Sequence, residues 1–366
     1  MSFKLKVRQL AKMFLQNVLL PLIYYLCSRG KVEKGLVIFA DAHHDSCPFS
    51  MRVMRHKTAE LGNVHIKEFY LDFGKCSKFK LVNFIIDFMI AFGRAEYVFI
   101  CDNFLPVASC QKRRETFVTQ LWHSGGLLKK AGYDSEDCVP SFYKGDVFSG
   151  CDMWTVSAPM VAPVIASSFR QKPENVRATG LSRTDIYFSK KYNDMCRERF
   201  YNAHPEARGK RIVLWAPTFR GNAGEPYVVG EEAIENVCKQ RGWYLIKKLH
   251  PLMQPDDGFP CERLFAVTDI LVTDYSSVLF DWLIYRKPFV LFAPDLDKFD
   301  TERGFYVDYF SFPTTVAKTE NELAGAIDSE LLLRSTEELD ICAKEHMGCC
   351  DGRATERIIK EVFSKE

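Results

Sequence analysis

The sequence predicts an α/β protein built from parallel sheets in two domains, and three observations carry that prediction. The chain has 366 residues, more than one hydrophobic core organises. Short apolar runs recur along it, each followed by a polar loop and a helical stretch: LVIFA (36–40), YVFIC (97–101), TFVTQLW (116–122), MWTVSA (153–158), RIVLWA (211–216), WYLIKKL (243–249), DILVT (269–273) and PFVLFA (288–293). Strands alternating with helices pack as parallel sheets covered on both faces. Finally, the stretch from about Tyr187 to Arg211 is polar and strandless, with a helix that ends near His204-Pro205. It marks a domain junction and leaves about four to six strands on each side.

Composition narrows the function. With 47% hydrophobic and 26% charged residues the chain is globular, and 49 basic against 47 acidic side chains exclude a protein that coats nucleic acid. Thirteen cysteines scattered through a long chain, with no CxxC pair, match neither a disulfide framework nor a zinc site. Buried thiols in a reducing cytoplasm are expected.

The first 32 residues are asymmetric: Lys4, Lys6, Arg8, Lys12, Arg29 and Lys31 precede the first acid, Glu33. Phe3, Val7, Leu10, Phe14 and Val18 fall on one helical stripe, the pattern of a helix lying in a membrane surface. A signal peptide would need a small-residue cleavage site, yet a strand-like run starts at Leu36. Gln16, Asn17 and Pro21 interrupt the apolar run from Met13 to Leu26, which reads as too short to span. An ordinary packed helix is the alternative. Residues 1–28 are expected to be removable with the rest of the chain still folded.

Chemistry-bearing residues gather where strands end, the edge at which parallel α/β sheets bind ligands. His123 follows strand 116–122, Pro217 and Thr218 follow 211–216, His250 follows 243–249, and Asp274 follows 269–273. Ser276 and Ser277 can cap a helix whose free N–H groups attract an anion, with Lys247, Lys248 and His250 as added donors for a diphosphate. A plain serine cap is the competing reading. His123, beside Ser124, Gly125 and Gly126 and ahead of Lys129 and Lys130, sits where backbone can approach a substrate and where an imidazole can take a proton near neutral pH.

Other chemistries fit less well. Asp295-Leu296-Asp297 has the form of a DxD metal motif, and Asp41, His43, His44 and Asp45 offer a second metal cluster, but short acidic patterns of this kind are common in loops. No metal is expected. Neither P-loop nor dinucleotide glycine spacing occurs, so ATP hydrolysis and NAD chemistry lose support.

Taken together, LWHSGGLLKKAGYD (121–134), TGLSRTDIYF (179–188), VLWAPTFRGN (213–222), LIKKLHP (245–251), DILVTDYSSVLFDWLIYRKPFVLFAPDLDKF (269–299), RGFYVDYFSFP (303–313) and DGRATERI (351–358) resemble the CDP-glycerol glycerophosphotransferase family of teichoic-acid primases and polymerases. The resemblance implies a GT-B-like fold, two Rossmann-type domains facing each other across a cleft, and adds an N-terminal amphipathic membrane helix from the residues above. Its segments would be 1–30 at the membrane surface, 31–190 on the acceptor side, 205–345 for the CDP donor, and a C-terminal helix in 346–366 packing back on the first domain.

The resemblance further implies transfer of glycerol phosphate from CDP-glycerol to a hydroxyl of a lipid-linked saccharide or polymer, without cofactor, at the cytoplasmic face of the cell membrane. CDP-ribitol as donor, or a GT-B glycosyltransferase using a nucleotide sugar, are the alternatives, and self-association is left open. His123 and His250 are carried over as catalytic. Thr218, Arg220, Lys248, Asp274, Ser276 and Ser277 are expected around the donor, and Ser124, Gly125 and Lys129 on the acceptor side. Where the family commonly reads Trp-His-Gly-Thr-Pro, this chain has Trp122-His123-Ser124-Gly125-Gly126, which points to different acceptor contacts.

Overall fold

The computed structural model describes residues 3–364 except 137, 219, 221–226, 250–252, 254–257 and 333–335. It forms two compact units. The first comprises Met1–His123, Ala131–Asp185 and Cys349–Glu366, and the second comprises Ser124–Lys130 and Ile186–Gly348, so the chain passes between units four times.

The first unit holds a parallel sheet of order β2-β1-β3-β4-β5-β6. Its strands are β1 (Leu36–Asp41), β2 (His65–Tyr70), β3 (Tyr97–Ile100), β4 (Phe117–Gln120), β5 (Met153–Thr155) and β6 (Val176–Arg177). β1 is buried from end to end, as a strand with helices on both faces must be, and its run LVIFA has no polar alternation. β2 lies at the edge, and HIKEFY leaves its charged residues exposed.

The N-terminal segment is one continuous helical run, Phe3–Phe14, a π turn Leu15–Leu19, and Leu20–Cys27. The π turn brings the polar pair onto the unit. Gln16 is buried, donating to the Asp146 carbonyl at 2.7 Å and accepting from the Tyr143 hydroxyl at 2.7 Å, while Asn17 donates to the Lys144 carbonyl at 2.8 Å. Leu20 and Tyr24 are buried below it, with the Tyr24 ring 5.1 Å from Phe92. A Cβ on Gly93 would meet the Ser28 Cα at 2.6 Å, so glycine permits that close approach.

Two expectations are thereby corrected. Residues 1–28 are not a removable appendage, because they bury Gln16, Leu20 and Tyr24 in the unit. The run is also not too short: Lys6–Cys27 is long and apolar enough to cross a membrane by length and composition, although Gln16 and Asn17 tie it along the protein. The opposite face stays apolar and exposed at Val7 (49%), Leu10 (56%), Phe14 (59%) and Val18 (51%).

The second unit holds a parallel sheet of order β11-β10-β9-β7-β8, made of β7 (Ile212–Ala216), β8 (Tyr244–Lys247), β9 (Ile270–Thr273), β10 (Phe289–Phe292) and β11 (Val316–Ala317). Val213, Val272 and Val290 pack under Ile234 and Val237 of helix Glu231–Arg241 and Leu323 and Ile327 of helix Glu320–Leu332. The chain then returns to the first unit through helix Ala354–Phe363. Asp185 acts as a remote cap there, its carboxylate accepting from the amides of Ala354 (3.0 Å) and Thr355 (2.7 Å) and from the Thr355 hydroxyl (2.6 Å). Ile358 and Val362 are buried beneath, and the Phe363 ring lies tilted against Tyr97 with centroids 4.5 Å apart.

Candidate functional site

In the first unit the C-terminal strand ends converge on a cluster of acids and histidines. β1 ends at Asp41, β3 is followed by Cys101 and Asp102, and β4 by Leu121, Trp122 and His123. Trp122 has φ +53°, a conformation that costs a non-glycine residue about 1–3 kcal/mol and persists only when packing overdetermines it. Here its indole is wedged 5.3 Å from Trp154 and 4.9 Å from Phe169. The turn presents His123 at the strand end.

Nδ1 of His123 lies 3.3 Å from Oδ2 of Asp102 and 3.3 Å from the Cys101 carbonyl oxygen. Both neighbours are acceptors, so Nδ1 carries the proton and Nε2 holds the lone pair. Buried Gln120 braces this arrangement, donating to the Asp102 carbonyl at 3.0 Å and accepting from the Trp122 amide at 3.2 Å. A half-exposed imidazole with a fixed tautomer can take a proton from an incoming hydroxyl.

Beside it, Asp41 accepts from the His43 amide and faces Nδ1 of His44, both at 2.8 Å. Burial raises the Asp41 pKa, but the bonds from His44 and His43 outweigh it and hold the carboxyl below its ordinary value. His44 is raised correspondingly by its bond to Asp41. Asp45 instead caps the Asp72 amide at 3.1 Å. Among the described residues no group of three or more His, Cys, Asp or Glu side chains is arranged to hold a metal, and the described cysteines are free thiols.

The strand ends of the second unit form another polar cluster. Arg220 is central: its guanidinium bonds Asp274 at 2.6 Å and grips Asp295 through two nitrogens at 2.7 and 2.9 Å. Its side chain is 9% exposed, and that of Asp274 3%. Asp274 also accepts from the amides of Thr218 (2.8 Å) and Tyr275 (2.5 Å), and the Tyr275 hydroxyl donates to Asp295 at 3.0 Å. Burial lowers the Arg220 pKa, yet the two carboxylates outweigh it and raise the value. For Asp295 burial raises the pKa, and Arg220 more than reverses that.

This network locks the ends of β7, β9 and β10 to one another. Arg220 and Asp274 are thus turned toward each other, each meeting the other's charge. Ser276 and Ser277 stand half-exposed at the end of β9. The Ser276 hydroxyl accepts weakly from the Val278 amide at 3.4 Å, whereas Ser277, at the cap position of helix Val278–Leu283, makes no side-chain capping bond. The Thr218 hydroxyl is buried and has no partner among the described residues. An orphaned hydroxyl at a strand end is what a bound phosphate oxygen would satisfy.

Lys248 sits at the end of β8, its amide donating to the Trp215 carbonyl at 2.9 Å. Lys247, expected among the phosphate donors, is committed to Glu231 (2.8 Å) and Glu235 (2.6 Å). His250 lies outside the described residues. Ser124, Gly125 and Lys129 belong to the second unit, although His123 belongs to the first. Sequence reasoning missed Asp102 and Gln120, even though Asp102 directly follows the apolar run YVFIC and stood at a strand end like the residues it singled out.

Against known proteins, residues 75–364 match the family model described as CDP-Glycerol:Poly(glycerophosphate) glycerophosphotransferase. The chain is 31% identical over 300 residues to the teichoic acid poly(ribitol-phosphate) polymerase of Bacillus spizizenii, covering 75% of this chain and 48% of that protein. It is 29% identical over 286 residues to the teichoic acid ribitol-phosphate primase of the same organism, covering 72% and 73%. The chain therefore spans about half the length of the polymerase it matches. Among solved structures, a variant of the wall teichoic acid polymerase TagF superposes with TM-score 0.75 over 98% of this chain and 97% of that one at 20% identity, a likeness of fold.

Proposed function

Because the chain belongs to the CDP-glycerol:poly(glycerophosphate) glycerophosphotransferase family, we propose that it transfers glycerol phosphate from CDP-glycerol to a hydroxyl of a lipid-linked cell-envelope acceptor and releases CMP. The observation that carries the reading is His123 at a strand end with Nδ1 turned to Asp102 and the Cys101 carbonyl. In the transfer, the acceptor O–H gives its proton to Nε2 of His123, its oxygen forms a bond to the phosphorus bearing glycerol, and the bond from that phosphorus to CMP breaks. Asp102 steadies the imidazolium that forms.

The donor belongs to the second unit in this reading. Thr218, Ser276 and Ser277 meet its phosphates, with Lys248 and His250 supplying positive charge as charge builds on departing CMP. Arg220 and Asp274 act indirectly by fixing the strand ends that carry those hydroxyls. No cofactor is invoked.

A second reading is transfer of ribitol phosphate from CDP-ribitol. It is favoured by the names of the two relatives above, both ribitol-phosphate enzymes. Incubating the full chain with CDP-glycerol, CDP-ribitol or a nucleotide sugar and a synthetic lipid-linked disaccharide, then weighing the products, decides among them. Product from the nucleotide sugar alone would defeat both phosphotransfer readings.

The protein is further proposed to rest peripherally on the cytoplasmic face of the cell membrane. The exposed apolar stripe of the N-terminal helix supports this, and helix Lys78–Phe92 adds Phe79, Val82, Ile86 and Ile90, all exposed at helical spacing.

A further inference from the structure

The segment Ser124–Lys130 begins one residue after His123, yet it is built into the second unit. Its last part forms a short antiparallel ladder with residues 304–306. Tyr306 donates to the Leu128 carbonyl at 2.8 Å, Lys130 donates to the Gly304 carbonyl at 3.0 Å, and Lys129 pairs with Phe305. Arg303 adds a bond from Nε to the Lys130 carbonyl at 3.1 Å.

The first part is held by a buried histidine. The Leu127 amide donates to Nδ1 of His346 at 3.4 Å, which requires that nitrogen to be unprotonated. The His346 ring lies nearly parallel to Phe312, centroids 5.3 Å apart, and 5.1 Å from Phe280. Phe280 in turn fills the space beside Gly126, where an added Cβ would meet its ring at 2.1 Å and where φ is +59°.

We propose that His346 is a positioning residue for the transfer reaction, holding the arm 124–130 that continues the chain directly from His123. The proposal rests on His123 being the base. On one side His123 is held by Asp102, and on the other it has only Ser124 and Gly125 before the clamped residues. Slack in the arm is slack at Nε2, and displacement of about 1 Å at a reacting group costs about a hundredfold in rate.

The test uses the full chain. His346→Leu removes the acceptor, His346→Gln offers an amide oxygen in its place, and Gly126→Ala attacks the same clamp from the backbone. The expected result is that His346→Leu and Gly126→Ala each lower kcat about tenfold to a hundredfold, with CDP-glycerol dissociation constants within about twofold of wild type and faster hydrogen exchange at the Leu127 amide. His346→Gln restores most of the rate.

Full activity in both His346→Leu and Gly126→Ala, while His123→Ala is inactive, overturns the positioning role alone. An active His123→Ala overturns the reading on which it rests. If His346→Leu loses donor binding and rate together and His346→Gln fails to rescue, His346 merely supports the fold, and the proposal is wrong. Should His346→Leu not fold, Gly126→Ala and the exchange rate of Leu127 in it decide the question.

Discussion

Oδ2 of Asp102 lies 3.3 Å from Nδ1 of His123, so a carboxylate backs the imidazole proposed above as the base. Replacing Asp102 by Asn keeps the shape but removes the charge that stabilises the imidazolium. Asp102→Asn is expected to lower kcat about tenfold to a thousandfold, and His123→Ala about a hundredfold to ten-thousandfold, with CDP-glycerol affinity kept. The double variant should be no worse than His123→Ala alone, since the carboxylate acts through the ring. An Asp102→Asn protein working at full speed would remove the dyad from the mechanism.

Arg220 separates two roles. As the clamp of two carboxylates it should be chiefly structural, and Arg220→Met, which strands Asp274 in a buried setting, is expected to cost about 3 kcal/mol. The denaturation midpoint reads this directly. A phosphate ligand would instead weaken donor binding and leave the midpoint nearly unmoved.

Activity is expected to survive excess EDTA. Asp295, the first acid of the DxD-like triplet, is occupied by Arg220 and Tyr275, and Asp297 pairs with Lys318 at 3.1 Å. Turnover abolished by the chelator and restored by magnesium or manganese would sink this and return the two aspartates to the chemistry.

Because the N-terminal helix is pinned by Gln16 and Tyr24, its membrane role must be probed from its outer face. Substituting Val7, Leu10 and Phe14 by Ser should release the protein from anionic vesicles without lowering its melting temperature. Raised salt should weaken binding partially, by screening the lysines and arginines. Unchanged co-sedimentation with vesicles would move the membrane contact elsewhere.

Burial lowers the pKa of His346 to about 4, from an ordinary 6.5. Its neutral form is therefore favoured in the folded state, and an unfolded chain binds a proton there that the folded chain refuses. This contribution to stability is complete above pH 6.5 and fades as pH falls toward 4, by about 3 kcal/mol at most. Urea midpoints at pH 7 and pH 4.5 should drop less for His346→Gln than for wild type. Equal drops would show that His346 does not titrate as its burial demands.

Much of the sheet structure was legible because fully buried parallel strands must be apolar along their length. LVIFA and DILVT announce β1 and β9 without help from the rest of the chain. All the expected strands but the first ran one to three residues long, as where the apolar run continues past β4 into the loop in which Leu121 and Trp122 are also buried. β2 escaped notice because HIKEFY lies at an edge and carries His65, Lys67 and Glu68 into solvent. β6 and β11 have two residues each, too few for any pattern.

At the site, His123, Thr218 and the serines were visible through their position after apolar runs. The partners that give them geometry were not, because Asp102 and Asp295 reach their targets across the fold. The arm after His123 was hidden for the same reason. Glycines suggested a loose turn, whereas Gly126 is a tight one, fitted against a phenylalanine 154 positions away in the sequence.

The repeated passage of the chain between units bears on heredity and on handling alike. A gene cut near the polar junction at 187–211 would yield a front piece without the helix that Asp185 caps, exposing Tyr97, and a back piece without the arm that pairs with Phe305. Each half would present a raw edge or an uncovered apolar face, the usual start of aggregation. Neither unit can therefore be shuffled into another protein as one uninterrupted cassette, and recombination that preserves folding must exchange the stretch from residue 124 to the final helix together.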